Sequence, residues 1–220
     1  MTRTIAVAVL LCLASLQGLT AEAQMGARAP DMRGVWNPVV GSGGVYQIDR
    51  PGGKGEMEMA VVGQETVEGK PAYWFEMAMS DPRSGGRMFI KQLMLKDGDR
   101  ADVKRMILQA AGQQPMEMPV TFPGAPEPQS RQSADVRKEG ERVGVEKVTT
   151  PAGTFTCEHY RTKDGSADVW IAEKVAPWGL VKMTSKDANM TLVRVLTNAT
   201  SKVTGTPVKF DPAGMMRGTK

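Results

Sequence analysis

Glu56-Met57-Glu58-Met59-Ala60-Val61, followed past Val67-Glu68-Gly69-Lys70 by Tyr73-Trp74-Phe75-Glu76-Met77-Ala78-Met79, carries the pattern that sets the fold class. Large side chains recur at every second position, the period of a strand whose successive residues point to opposite faces of a sheet. The four residues between the runs read as a tight hairpin turn, so the unit is strand-turn-strand. Trp74 beside Phe75 makes this strand apolar on both sides, as expected of a curved sheet, partial barrel or sandwich rather than a flat sheet with one wet face.

The same signal extends outward. Residues 87–95 read as a strand that ends at the turn Lys96-Asp97-Gly98-Asp99. Residues 102–111 match a helical spacing through Val103, Met106, Ile107 and Ala110, but their strand neighbours favour a strand. Further strands are expected at 143–149, 154–162, 167–172, 180–185 and 189–196, separated by Pro151-Ala152-Gly153, Asp164-Gly165, Pro177-Trp178-Gly179 and Lys186-Asp187-Ala188. Short strands about ten residues apart with turn residues between them predict an all-β antiparallel meander, forming a curved sheet or half-barrel.

The first residues read differently. Arg3 precedes an uncharged apolar run, residues 5–16, and Ala21-Glu22-Ala23 fits the small-x-small pattern of signal-peptide cleavage. The run is short for a membrane span. The expectation is a signal peptide at 1–23, a flexible leader at 24–33, one β domain at 34–204 with a Pro-rich loop at 112–131, and a frayed tail at 205–220. The processed protein is expected in the periplasm or secreted, with no transmembrane segment. Export removes most functions that depend on ATP, NAD or nucleic acid. The formal net charge of +4 is spread along the chain and forms no basic stripe, so no nucleic-acid partner is expected.

Of the two cysteines, Cys12 leaves with the signal peptide; Cys157 and the single histidine, His159, remain. Stability must therefore come from the core without an internal disulfide. Methionine is abundant, at 16 residues, and includes the pairs Met57/Met59, Met77/Met79 and Met116/Met118.

No catalytic motif emerges, and the chain is expected to be no enzyme and to need no cofactor. Gly41-Ser42-Gly43-Gly44 lacks the frame of a nucleophile elbow, and Pro51-Gly52-Gly53-Lys54-Gly55 lacks the ends of a phosphate loop. Cys157 and His159, two apart on a strand, share a face but diverge too much for a nucleophile and its base. As soft and borderline donors they define a metal reading instead, Cu(I) handling with methionine thioethers. The competing reading takes Met as an adaptable core filler and Cys157 as a small buried hydrophobe.

The second half adds a resemblance. Thr150-Pro151-Ala152-Gly153-Thr154-Phe155, then Trp170 and Gly179-Leu180-Val181-Lys182, resemble a hairpin and strand pair of exported bacterial β-proteins of uncharacterised families, which are similar in turn to the lipoprotein-carrier half-barrels of the bacterial envelope. The resemblance covers residues 143–196 and brings no catalytic residues. It implies an apolar concavity able to hold acyl chains. The expected function is non-enzymatic binding of a lipid or other apolar or amphipathic small molecule, with Trp74, Phe75, Met77, Met79, Phe89 and Trp170 as candidate ligand residues. The alternatives are the metal reading at Cys157 and His159, and a structural or interaction module.

Overall fold

Both hairpins of the form x-Pro-x-Gly close in the same way. Arg50-Pro51-Gly52-Gly53 and Thr150-Pro151-Ala152-Gly153 each end in a glycine at positive φ, 120° at Gly53 and 127° at Gly153. Proline presets the first turn residue and glycine takes the conformation that a Cβ resists. At the third hairpin Glu68 (φ 54°) and Gly69 (φ 75°) are both left-handed, as a two-residue hairpin of matching twist requires.

These turns belong to a computed structural model that describes residues 35–80, 86–97, 100–120, 131–133 and 136–211. The expected signal peptide and leader lie outside the described residues. The strands are β1 (Gly43–Arg50), β2 (Gly53–Val67), β3 (Lys70–Ser80), β4 (Arg87–Asp97), β5 (Arg100–Ala110), β6 (Met116–Met118), β7 (Arg131–Ser133), β8 (Gly140–Thr150), β9 (Gly153–Thr162), β10 (Ala167–Ile171), β11 (Leu180–Ser185), β12 (Asn189–Leu196) and β13 (Val208–Lys209), with a four-residue helix α1 (Val136–Glu139) before β8. The protein is all-β, and residues 102–110 are strand, as their neighbours implied, with Ala111 in the turn that follows.

The strands form one sheet in the order β13-β6-β5-β4-β3-β2-β1-β12-β11-β10-β9-β8, with β7 paired to β5. Two meanders, β1 to β5 and β8 to β12, are thus joined where β1 pairs antiparallel with β12. The path does not close on itself. Its β8 edge carries a bulge between Arg142 and Gly144 and four charged residues, Glu141, Arg142, Glu146 and Lys147, devices that discourage edge-to-edge pairing.

β1 opens with two glycines that hid it from a search for apolar alternation. A Cβ on Gly43 would lie 2.3 Å from the Met59 carbonyl oxygen, so the close approach of β1 to β2 admits no side chain there.

The cross-strand register fixes the two faces. One row runs Tyr46–Met57–Met79–Met88–Ala110 across β1 to β5, and the next carries Met59–Met77–Ile90–Leu108–Met116. Residues paired across strands share a face. The sheet wraps toward this face. The buried Tyr46 hydroxyl, on β1, donates to the Leu180 carbonyl on β11 at 2.9 Å, across the intervening β12. Phe75 of β3 meets Trp178, just before β11, edge to face at 5.8 Å. Trp36 completes this aromatic cluster, held alongside by hydrogen bonds from the Val35 and Asn37 amides to the carbonyls of Trp178 and Pro177.

A strap crosses the other face. The buried Glu76 carboxylate accepts the Ser201 hydroxyl at 2.6 Å and the Lys202 amide at 2.7 Å. Lys202 also pairs with Glu58, Lys91 donates to the Ser201 hydroxyl, and Gln109 and Thr204 exchange two hydrogen bonds. The strap ends as β13, parallel to β6. Two expectations are corrected here. The tail read over 205–220 is not frayed through its first part, 205–211, and the Pro-rich loop read over 112–131 contains β6. Both pieces are held by backbone bonds and isolated polar contacts, which leave no apolar period in the sequence.

Candidate functional site

All eleven methionines among the described residues project from one face of the sheet. The register places Met57, Met59, Met77, Met79, Met88, Met94 and Met106 there in the first meander, Met116 and Met118 on β6 beside it, and Met183 and Met190 in the second meander, where the two pair with each other and Met190 pairs with Ile48 of β1. The other five, Met1, Met25, Met32, Met215 and Met216, lie outside the described residues. The opposite face also buries apolar side chains, among them Val45, Ala72, Phe89, Leu93, Leu95, Ile107 and Cys157, but no methionine among the described residues. Packing alone does not sort methionine from leucine in this way, since the two substitute for each other at small cost.

The methionine face changes character across its width. Under the Trp36–Trp178 cluster it is closed: Met57, Met59 and Met190 are fully buried, with Phe75, Met77 and Met183 nearly so. Toward β4, β5 and β6 it opens. Met79, Ile90, Met106, Leu108, Met116 and Met118 are half-buried and Met88 is 49% exposed. Gln92 is the polar residue in this area, and its amide donates toward the Met106 sulfur at 3.8 Å. At the closed end the indole N–H groups of Trp36 and Trp178 are buried with no hydrogen-bond partner among the described residues. Each such donor costs about 1–3 kcal/mol while it lacks an acceptor.

The six expected ligand residues divide between the faces. Phe75, Met77 and Met79 lie on the methionine face. Trp74, Phe89 and Trp170 lie on the other, because positions one apart on a strand cannot share a face. Trp74 sits between Lys91 and Arg105, whose cations lie 5.0 and 5.2 Å from its ring, and its indole donates to Glu65. The six do not include the continuation of the face through β4 to β6. The parity of Met88, Met94 and Met106 was readable, but cross-strand register was needed to join them to β3.

Cys157 and His159 do share a face, but it is the one opposite the methionines. His159 bridges two carboxylates, Glu146 at 3.2 Å from Nδ1 and Asp168 at 2.7 Å from Nε2, and stacks on Trp170 at 4.3 Å. Trp170 donates to Glu146, Lys182 lies 4.7 Å from the Trp170 ring, and Arg161 donates to Asp168. Cys157 is fully buried. Burial first, then the Glu146 charge, pushes its thiol up to about 11, against a smaller opposing effect of Lys174. A thiol held protonated at neutral pH is a poor nucleophile and a poor metal ligand. Among the described residues, no group of three or more His, Cys, Asp and Glu side chains is placed to hold a metal ion.

A separate open cleft of ≈ 560 Å³ lies where β8, β9 and the end of β10 meet, lined by Val145, Cys157 and Ile171 and by charges of both signs, Arg137, Lys174, Glu158 and Glu173. No helix among the described residues is long and apolar enough to cross a membrane.

No family model matches the chain, and no curated protein matches it either. Among solved structures it is similar to a candidate lipoprotein from Parabacteroides distasonis, at 13% identity and a TM-score of 0.35, over 74% of this chain and 99% of that one. It is likewise similar to a candidate exported protein with a YmcC-like fold from Bacteroides fragilis, at 17% identity and a TM-score of 0.36, over 74% and 99%. A third similar structure is the MucA/MucB complex of Pseudomonas aeruginosa, at 11% identity and a TM-score of 0.35, over 76% of this chain and 56% of that one.

Proposed function

We propose that this chain is an exported, non-enzymatic protein of the bacterial envelope that binds an apolar or amphipathic ligand, such as a lipid, along its methionine face. The observation that carries this reading is the segregation of all eleven described methionines on the face toward which the sheet wraps. Unbranched thioether side chains adapt to ligands of varied shape. Covering apolar surface supplies about 25 cal/mol per Å², and the open strip over β4 to β6 offers such surface next to a closed, packed end. Two unpartnered indole donors at that end suit a ligand that carries a hydrogen-bond acceptor beside its apolar part.

The test is displacement of a fluorescent fatty acid, together with native mass spectrometry of the purified processed chain. Met88 is exposed, so Met88→Asp should leave folding intact while putting a charge on the strip. Wild type should bind the probe and carry co-purified lipid, and the variant should lose both. A variant that binds the probe as wild type does would refute placement of the ligand on this face.

A further inference from the structure

The row Met57–Met79–Met88 puts three thioethers side by side on adjacent strands β2, β3 and β4. We propose that this row, on the same face as the proposed ligand strip, is a Cu(I) site distinct from Cys157 and His159.

Three observations carry it. First, directly paired residues hold their Cβ atoms about 4.5–5.5 Å apart, and each methionine has three rotatable bonds beyond its Cα. The sheet wraps toward this face, so side chains from neighbouring strands converge. Three sulfurs can then gather over the middle strand, and Met77, two residues from Met79 on the same face, stands by as a fourth.

Second, the donor set is chemically pure. The row continues into Tyr46 and Leu192 on one side and Ala110 on the other, and the parallel row through Met59 and Met77 continues into Ile90 and Leu108. Neither row holds a carboxylate or an imidazole. Neutral, soft thioethers favour Cu(I), whereas Zn²⁺, Mg²⁺ and Ca²⁺ need imidazole, thiolate or oxygen ligands that the row lacks.

Third, burial is graded along the row. Met57 is fully buried, Met79 half-buried and Met88 49% exposed. An ion can therefore meet Met88 from solvent and pass inward to sites shielded from water.

The experiment titrates the processed chain with Cu(I) under anaerobic conditions against a chromophoric Cu(I) chelator. In parallel, Ag(I) is titrated while the methionine ε-methyl groups are followed by NMR. One equivalent should shift the ε-methyl signals of Met57, Met79 and Met88. The double variant Met79→Leu/Met88→Leu preserves volume and apolar surface. It should weaken Cu(I) affinity by about a hundredfold or more, since changes outside the ligand set already cost 10- to 100-fold at metal sites. The same variant should keep the wild-type circular dichroism spectrum and urea-unfolding midpoint, so that lost affinity reports lost sulfur ligands and not a lost fold. Cys157→Ser should retain Cu(I). Unchanged affinity in the double variant, loss of binding in Cys157→Ser, or no competition with the chelator in wild type would each overturn the site.

Discussion

Glu76 is the residue through which the strap is most open to test. Its carboxylate is buried and accepts two short hydrogen bonds from one segment, the Ser201 hydroxyl at 2.6 Å and the Lys202 amide at 2.7 Å. A hydrogen bond to a charged group contributes about 1.5–3 kcal/mol, and two bonds sharing one carboxylate add less than twice that. Glu76→Ala also leaves the Lys202 amide without its acceptor. The expected loss is about 3–4 kcal/mol in urea unfolding, a large share of the stability of an ordinary domain. Glu76→Gln keeps one oxygen to accept the Lys202 amide and puts an NH2 group opposite Ser201, whose hydroxyl can turn to accept, so it should lose less, about 1–2 kcal/mol. Hydrogen exchange adds a local measure: the Lys202 amide should be protected in wild type and exchange rapidly in Glu76→Ala, while amides of β9 and β10 change only by the global loss. If Glu76→Ala unfolds within about 0.5 kcal/mol of wild type, the ordinary range for a neutral surface change, and the Lys202 amide stays protected, the strap is not held by this carboxylate.

Tyr46→Phe removes the buried bond to the Leu180 carbonyl and should cost about 1–2 kcal/mol with little change in the far-UV circular dichroism spectrum, since only one hydroxyl leaves the core. Burial holds the Cys157 proton in the folded chain up to about 11, above the 9.0 of an exposed thiol, so unfolding releases a proton between those values. The stability this contributes is complete below pH 9 and is lost as the pH rises toward 11. Cys157→Ala should flatten that part of the alkaline loss in thermal melts taken across the range, and the wild-type thiol should react slowly with a water-soluble disulfide reagent until the protein is denatured. Gly43→Ala should prevent folding or cost several kcal/mol (roughly 3 or more), because the new Cβ would meet backbone at 2.3 Å; Gly63→Ala, whose nearest atom would be a Trp74 side-chain carbon at 3.6 Å, should be tolerated, and comparable melting temperatures for the two would refute the close-approach argument.

The strands that were legible in the sequence share one property, a period of two bounded by turn residues. β2, β3, β4, β9 and β12 announce themselves that way, and so does the hairpin at Pro151-Ala152-Gly153, whose glycine takes the positive φ that its spacing implied. The illegible elements lack the property. β1 begins Gly43-Gly44 because its neighbours leave no room for side chains, and β13 has two residues held parallel to β6. The candidate site was half legible. Met57/Met59 and Met77/Met79 were marked by spacing, whereas the grouping of Trp74 with Phe75 and of Phe89 with Met79 joined residues that the alternation sends to opposite faces.

By itself the sequence determined what is local: the alternation that makes each segment a strand, the turns that make successive strands antiparallel, and the parity that assigns every residue to one side of its own strand. Parity says nothing about which side of the next strand it matches, because a one-residue shift in register exchanges the faces. Tertiary pairing decided that eleven methionines from seven strands face the same way. It also decided that Cys157 and His159 face away from them, and that a polar segment from the end of the chain seals the other side over Glu76. The join of the two meanders and the strap rest on contacts between residues more than a hundred positions apart, as Tyr46 and Leu192 or Glu76 and Ser201 are, and no local pattern encodes a contact of that range.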